Sequence, residues 1–365
     1  MIYKPFKEIN LPALGMGVMQ LQSNKEGSPE DHAKNQALID YAMENGINYF
    51  DTAYIYGKDG SSEKCLGELL TKYPRQSYYL STKYSVYGGD DYNSVFEEQL
   101  TRLKTDYIDF YLLHSVFDDT YQRYIDNGCI KYFEEQQRKG RIKYLGFSSH
   151  AGIETLMNLV NCRSWDFAML QINCYDWVYG LANQEYEILN QRGIPIIVME
   201  PVRGGRLATL SPKAEAILKD TRPDWSIASW FFRWVKRLSG VQTVLSGMRT
   251  LDQLRENNML FSCDESLDDE GEKRLIEVCE IFRQEVSVIC TSCLYCQNDC
   301  PAEINIPRII ELYNHYKTDK PWDIKKKIES ADSKGKPVDC TGCGVCISRC
   351  PQKIDVVNIM KELCR

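Results

Sequence analysis

Cysteines near the C-terminal end form two groups whose spacing suits metal chemistry. Each group has the pattern C-x2-C-x2-C-x3-C-P, and the cysteines are Cys290, Cys293, Cys296, Cys300, Cys340, Cys343, Cys346 and Cys350. Three thiolates at this spacing can wrap one face of an iron–sulfur cube, and the fourth turns away at the proline and usually ligates the other cluster. The sequence therefore predicts two [4Fe–4S] clusters, one on Cys290, Cys293, Cys296 and Cys350 and one on Cys300, Cys340, Cys343 and Cys346.

A pair of zinc sites is the alternative interpretation, because C-x2-C pairs also bind zinc. A tetrahedral zinc site needs neither the third cysteine nor the terminal Cys-Pro, so two complete copies favour the clusters. The remaining cysteines of the 15 show no ligand spacing. We interpret them as buried or incidental thiols.

Composition and charge exclude several classes of protein. The net charge of −7 argues against binding to nucleic acid or to a membrane surface. No stretch approaches the roughly 18 apolar residues of a membrane span, and the first ten residues lack the apolar run of a signal peptide. Grouped cysteines are typical of a reducing compartment, so we expect a cytoplasmic protein.

Short β-rich runs alternate with helical patterns over residues 1–284. The runs are LPALGMG, INYFDTA, SYYLSTKY, YIDFYLLH, IKYLGFSS, FAMLQIN, IPIIVMEP and VQTVLSG. Eight strand–helix units predict an α/β protein with a (β/α)8 TIM barrel. A doubly wound sheet is the rival fold, but no strand is followed by a G-x-G-x-x-G turn. Residues 285–365 contain two amphipathic patterns that predict helices over 306–316 and 322–330, and with the cysteine motifs this segment resembles a small, largely helical ferredoxin domain.

Four ionisable residues fall at or just after the ends of predicted strands two to four. Asp51, Lys83 and His114 lie near the strand ends, and Tyr56 lies in the loop after Asp51. Alone, each has an ordinary explanation as a helix cap, a surface residue or a core histidine. Active sites of such barrels lie where the carboxyl ends of the strands meet, so their joint placement predicts a catalytic site.

The sequence resembles an aldo-keto reductase. The resemblance rests on YFDTAYIYG, LSTKY, IDFYLLH, GRIKYLGFSSH, PVRGGRL and SGMRTLDQLRENN, in that order over about the first 260 residues. With the cysteine motifs added, the chain is similar to the iron–sulfur branch of that family, which carries a bacterial-type 2[4Fe–4S] ferredoxin domain. The resemblance implies hydride transfer between a nicotinamide and a carbonyl or alcohol, with Asp51, Tyr56, Lys83 and His114 as the catalytic tetrad.

The resemblance also implies a role for each member of the tetrad. Tyr56 would donate the proton to the carbonyl oxygen, although a free phenol has a pKa near 10. Lys83 would lower that pKa, and Asp51 would balance the lysine. His114 would hydrogen-bond the carbonyl and orient it.

NADP is the expected cofactor, with NAD left open. The residues that the resemblance assigns to it are Gly17, Val18, Met19, Asp51, Ser148, Ser149, Gln171, Met199, Pro201, Val202, Arg203, Gly204, Gly205, Gly247, Met248, Arg249, Gln253, Glu256 and Asn257. Met199 replaces the tyrosine that many members stack on the nicotinamide. Arg249 is the nearest cation for a 2′-phosphate, because the usual Lys-Ser pair and later arginine are absent.

We therefore expect an NADP(H)-dependent oxidoreductase that acts on a small carbonyl compound or alcohol. Its two clusters would transfer electrons to or from a ferredoxin- or flavodoxin-type redox partner. Nicotinamides carry two electrons, a cluster carries one, and no flavin signature is present. Two alternatives therefore stay open. The clusters could be structural or redox-sensing in the same reductase, or the chain could be a non-catalytic, nicotinamide-binding electron-transfer protein.

Overall fold

The computed structural model describes residues 1–19, 21, 29–319 and 323–364. By contacts the chain divides into two compact units. The first unit comprises Met1–Pro201 with Phe232–Asp268, and the second comprises Val202–Phe231 with Asp269–Arg365. Residues 202–231 thus group with the C-terminal segment, although they follow the seventh predicted strand. The domain boundary at 284/285 stays a prediction.

The first unit is built around a closed barrel of parallel strands. The described strands are β1 (Tyr3–Phe6), β2 (Ile9–Pro12), β3 (Leu14–Gly17), β4 (Tyr49–Asp51), β5 (Tyr79–Tyr84), β6 (Ile108–Val116), β7 (Ile142–Ser149), β8 (Phe167–Gln171), β9 (Ile196–Met199) and β10 (Val241–Ser246). Strands β3 to β10 pair in sequence order, and β10 closes the barrel on β3. The predicted TIM barrel is therefore confirmed, and each of the eight predicted runs overlaps one barrel strand.

Helices follow the barrel strands and make up most of the second unit. The described helices are α1 (Pro29–Glu44), α2 (Ser61–Leu70), α3 (Tyr92–Leu103), α4 (Tyr121–Asp126), α5 (Cys129–Arg138), α6 (Ile153–Asn161), α7 (Cys174–Tyr179), α8 (Ala182–Gln191), α9 (Pro212–Thr221), α10 (Ile227–Val235), α11 (Leu251–Phe261), α12 (Asp269–Glu285), α13 (Tyr295–Asn298), α14 (Ile306–Asp319), α15 (Ile324–Glu329), α16 (Val345–Ser348) and α17 (Val356–Leu363). The helices predicted over 306–316 and 322–330 correspond to α14 and α15; Trp322 lies outside the described residues.

An antiparallel hairpin of β1 and β2 precedes the barrel and was absent from the sequence-based prediction. Its Phe6 is buried in an aromatic cluster with Phe110, Tyr144 and Phe167, at ring-centroid distances of 5.4, 5.0 and 6.5 Å. Aromatic rings bury a large apolar area and pack well edge to face. The hairpin therefore supplies a residue to the barrel core.

The second unit has a hydrophobic core of its own. Ile304, Ile306 and Ile309 pack there with Val356 and Met360. Cysteines of both motifs lie in the same cluster: Cys290, Cys296 and Cys346. Within the described part of the chain, no helix has the length and apolar character that crossing a membrane requires.

Candidate functional site

The barrel brings the predicted tetrad together at one end. Asp51 is the last residue of β4, Lys83 lies one residue before the end of β5, and His114 lies within β6. These three strands are neighbours in the barrel. Parallel neighbours present their carboxyl ends at the same face, and Tyr56 follows β4 in the loop at that face.

Lys83 and Asp51 form a buried ion pair. Lys83 Nζ lies 2.6 Å from Asp51 Oδ1 and donates a further 2.6 Å hydrogen bond to the carbonyl of Thr52. Asp51 Oδ2 accepts a hydrogen bond from Ser81 Oγ at 2.7 Å. Burial lowers the pKa of Lys83, and the Asp51 carboxylate opposes that shift. The pair thus keeps a lysine of weakened basicity inside the barrel.

Tyr56 faces both Lys83 and His114. Lys83 Nζ lies 5.3 Å from the centroid of the Tyr56 ring. The rings of Tyr56 and His114 have centroids 5.3 Å apart and an interplanar angle of 78°. Burial, followed by the positive charge of Lys83, holds the pKa of His114 well below its ordinary value. A neutral imidazole beside a phenol can hydrogen-bond and orient a carbonyl oxygen.

The sequence analysis did not identify a buried carboxylate that is linked through Gln99 to the backbone of Lys83. Glu63, on α2, is fully buried. Its Oε1 accepts from Thr82 Oγ1 at 2.6 Å and from Gln99 Nε2 at 2.7 Å, and Arg102 Nη1 lies 3.0 Å from its Oε2. Gln99 Nε2 also donates to the carbonyl of Lys83 at 3.1 Å. This network, which we call the Glu63 network, holds β5 at the residue that carries the lysine.

Residues predicted to contact the nicotinamide lie at the ends of β7, β8 and β9. Ser148 and Ser149 are buried at the end of β7, and Ser148 Oγ accepts from the amide of Ser115 at 2.7 Å. Gln171 and Met199 are direct register partners at the ends of β8 and β9. Their predicted roles stay predictions.

Asp176 holds the side chain of Gln171 in place. The sequence analysis did not identify Asp176. Asp176 Oδ2 accepts from Gln171 Nε2 at 2.6 Å and from Asn173 Nδ2 at 2.7 Å. Asn173 caps α7 by accepting from the amide of Asp176 at 2.9 Å. The N-x-x-D spacing is a capping signal that could have revealed this support from the sequence.

Residues predicted to hold the adenosine end surround the start of α11. Thr250 caps this helix, and Gln253 Oε1 accepts from the amide of Arg249 at 2.8 Å. The Arg249 side chain is exposed just before the first turn, where a helix favours anions. Asn257 Nδ2 donates to Ser246 Oγ at 3.2 Å. The exposed guanidinium of Arg249 beside this helix end is the group that could hold a phosphate.

The other residues assigned to the cofactor lie in both units. In the first unit, Val18 donates its amide to the carbonyl of Asp51 at 2.9 Å; the same unit holds Gly17, Met19, Pro201, Gly247, Met248 and Glu256. Val202, Arg203, Gly204 and Gly205 belong to the second unit. There, Arg203 Nη1 donates to the carbonyl of Ile289 at 3.1 Å.

The two cysteine motifs have the same backbone conformation. Positive φ angles occur at Ser292 (54°) and Leu294 (65°) in the first motif and at Gly342 (71°) and Gly344 (76°) in the second. Each loop then enters a single helical turn, α13 or α16. Loops of this kind turn backbone N–H groups toward an anionic centre, and the amide of Ser292 donates to Cys290 Sγ at 3.4 Å.

Thiols of the two motifs influence one another's pKa, and their assignment to two separate clusters stays a prediction. Burial raises the pKa of Cys296, and the nearest thiols that raise it further are Cys293, Cys290 and Cys350, with a smaller contribution from Cys346. Burial raises the pKa of Cys346 to about 11, with further contributions from Cys340, Cys343 and Cys300.

An apolar cavity fits the second group. It is lined by Cys300, Cys340, Cys343 and Cys346 together with Ile304 and Val356. Among the described residues, no three Cys, His, Asp or Glu side chains converge as ligands of a single metal ion. The donor set, four thiols around one apolar cavity, fits a [4Fe–4S] cluster.

Comparison with known proteins identifies the family. The model of the aldo/keto reductase family matches residues 13–280, and the chain belongs to that family. A model of 4Fe–4S dicluster domains matches residues 289–354. The protein is therefore an oxidoreductase of the aldo/keto reductase family with a C-terminal 4Fe–4S dicluster domain, as the sequence predicted.

Curated relatives are identical to this chain at about a quarter of the aligned residues. The uncharacterized oxidoreductase YqkF of Bacillus subtilis is 27% identical over 283 residues, which cover 68% of this chain and 87% of YqkF. The methylglyoxal reductase YeaE of Escherichia coli is 28% identical over 214 residues, which cover 55% of this chain and 68% of YeaE.

Solved structures share the fold. An aldo-keto reductase from Bacillus halodurans in its holo form has a TM-score of 0.63 and 24% identity, covering 76% of this chain and 96% of its own. An aldo/keto reductase from Klebsiella pneumoniae, in complex with NADP and acetate, has a TM-score of 0.60 and 20% identity. The match covers 76% of this chain and 93% of the Klebsiella chain.

Proposed function

We propose that this protein reduces a small aldehyde or ketone, or oxidises the corresponding alcohol, with NADP(H), and that two [4Fe–4S] clusters let it exchange electrons with a ferredoxin- or flavodoxin-type carrier. The observation that carries the proposal is the convergence of Lys83, Tyr56 and His114 at the ends of adjacent strands, with Asp51 paired to the lysine at 2.6 Å.

The four side chains have complementary roles in this chemistry. Tyr56 holds the proton that passes to the carbonyl oxygen, and the Lys83 ammonium favours the phenolate that remains. Asp51 and the Thr52 carbonyl fix Lys83 Nζ. His114, held neutral by burial, orients the substrate oxygen. A bound nicotinamide would supply two electrons together as hydride, whereas each cluster would carry one electron at a time.

NADP is proposed on two grounds. Arg249 presents an exposed cation beside the start of α11, where a 2′-phosphate would find both the guanidinium and the helix N-terminus. The structurally similar enzyme from Klebsiella pneumoniae was solved with NADP.

A structural contribution of the clusters is a second proposal, and it is compatible with the first. Cys290, Cys296 and Cys346 lie in the hydrophobic core of the second unit. Clusters ligated by these residues would cross-link the two motifs, because the predicted ligand sets exchange Cys300 and Cys350 between them.

Substitution of Tyr56 tests the catalytic assignment. Tyr56→Phe should lower kcat for aldehyde reduction with NADPH by about 10²- to 10⁴-fold, the usual contribution of a positioned acid, and leave NADPH affinity nearly unchanged. Tyr79→Phe is the matched control, because Tyr79 lies at the opposite end of the strand that carries Lys83. An equal loss of turnover and NADPH affinity in Tyr56→Phe would contradict the assignment.

A further inference from the structure

The segment Arg203–Arg206 packs onto the first cysteine motif within the second unit. Arg206 Nε donates to the carbonyl of Cys290 at 3.0 Å, and Arg203 Nη1 donates to the carbonyl of Ile289 at 3.1 Å. Arg203 Nη2 also hydrogen-bonds the side-chain oxygen of Gln352. Two arginines thus hold consecutive carbonyls at the first ligand of one predicted cluster, and Arg203 reaches the residues after its fourth ligand, Cys350.

Glycine permits this contact. Gly204 has a φ of 64°, and a Cβ added there would lie 1.8 Å from the carbonyl oxygen of Thr291. Any larger residue would push the segment away from the motif. The main chains of the two segments therefore lie in direct contact beside Cys290, which brings the arginine side chains within reach.

The charge of Arg206 lies beside the ligand residue itself. Its guanidinium donates a 3.0 Å hydrogen bond to the carbonyl of Cys290, which holds a positive charge next to the first ligand of the predicted cluster. Arg203 is buried, so its charge is poorly screened by water. A cation close to a ligand sulfur favours the reduced form of a cluster, because reduction adds negative charge there.

We propose that Arg206 tunes the first cluster, the one ligated by Cys290, Cys293, Cys296 and Cys350, by raising its reduction potential. The inference rests on the proposed occupancy of the two cluster sites and goes beyond it by naming the residue that sets one potential. Arg206 is a tuning residue: it acts on the ligand and its carbonyl, and it takes no part in the chemistry at Tyr56.

The test uses the full-length chain, loaded with iron and sulfide under anaerobic conditions. Iron content and visible absorbance first establish how many clusters each protein holds. The potentials are then measured by titration with dithionite, monitored by EPR, with neither nicotinamide nor aldehyde present. Cys343→Ser, which alters a predicted ligand of the second cluster, identifies the signal of each cluster.

Arg206→Gln should raise the ratio of oxidised to reduced first cluster at a fixed potential by about three- to tenfold, and a tenfold change in a one-electron couple is 59 mV. The second cluster should be unaffected. Arg206→Lys should keep most of the wild-type potential because it keeps the charge. Arg308→Gln removes an exposed arginine of α14 that pairs with Glu311, and it should change neither potential.

Wild-type potentials in Arg206→Gln, with both clusters loaded, would overturn the inference and leave the proposed function standing. A wild-type chain that binds no cluster would overturn the proposed cluster function and this inference together. If Arg206→Gln loses the first cluster, Arg206→Lys decides the matter: a potential near the wild type supports tuning by charge, and a shift of about tenfold in the ratio overturns it.

Discussion

The ammonium of Lys83 lies 2.6 Å from the carboxylate of Asp51, and their side chains are only 1% and 6% exposed. Neither charge can turn to water, so each depends on the other and on the hydrogen bonds from Ser81 and to Thr52. Removing one partner of such a pair leaves a buried charge without compensation. The pair therefore couples the stability of the barrel to the chemistry of the lysine.

Asp51→Asn should lower the free energy of unfolding by about 3–5 kcal/mol, because it leaves the Lys83 charge buried without its partner. The control is Glu277→Gln, which breaks an exposed pair with Arg274 and should cost no more than about 1 kcal/mol. Denaturant unfolding measures both. The double variant Asp51→Asn/Lys83→Met should be less destabilised than the sum of its single variants; strict additivity would show that the two residues are not coupled.

The Glu63 network should position Lys83 for turnover. Glu63 raises the pKa of Lys83 by its charge, so Glu63→Gln should move the limb of the pH–rate profile that depends on protonated Lys83 to lower pH. We expect kcat to fall about tenfold, with KM little changed. Glu98→Gln is the matched control, because Glu98 also pairs with Arg102 but is half exposed. If the pH–rate profile of Glu63→Gln were the same as that of the wild type, the Glu63 network would contribute to folding and not to the protonation of Lys83.

Glu185 should make the stability of the protein depend on pH. Burial, followed by the charge of Asp176, raises its pKa from an ordinary value near 4.5 to about 8. Below pH 4.5 the carboxyl is protonated in both the folded and unfolded states. Between 4.5 and about 8 the unfolded state ionises first, so the stability that this group contributes is lost as the pH rises through that window.

Glu185→Gln should remove this loss. Relative to wild type it should gain stability progressively from pH 4.5 to 8, to the order of a few kcal/mol. Denaturant unfolding at several pH values measures the difference. Glu187→Gln alters an exposed residue of the same helix and should show no such trend. A constant difference between Glu185→Gln and wild type across the window would contradict the assignment.

The barrel and the tetrad were predictable because their signals are local. Each barrel strand is a short β-rich run, and Asp51, Lys83 and His114 stand near the ends of three of them. The cysteine motifs carry their ligand spacing in the sequence itself. Such features need no knowledge of which distant segments meet.

The missed features depend on long-range contacts or on burial that contradicts residue type. Glu63 looks like an ordinary surface residue of α2, and only the partners Thr82, Gln99 and Arg102 explain a buried carboxylate there. The resemblance assigned Arg203 to the cofactor site, and its hydrogen bond to the carbonyl of Ile289, which joins segments far apart in sequence, was not predicted. No spacing rule signals such a contact.

The most direct test is anaerobic titration of the cluster-loaded protein with NADPH, followed by visible absorbance and EPR. It shows whether a nicotinamide bound to the barrel and the clusters exchange electrons. If the barrel and the clusters exchange electrons, NADPH alone should bleach the cluster absorbance and produce a reduced-cluster EPR signal. Tyr56→Phe should behave like wild type in this titration, since proton donation to a carbonyl is not required. Clusters that stay oxidised in the presence of bound NADPH until dithionite is added would contradict electron exchange between the nicotinamide and the clusters.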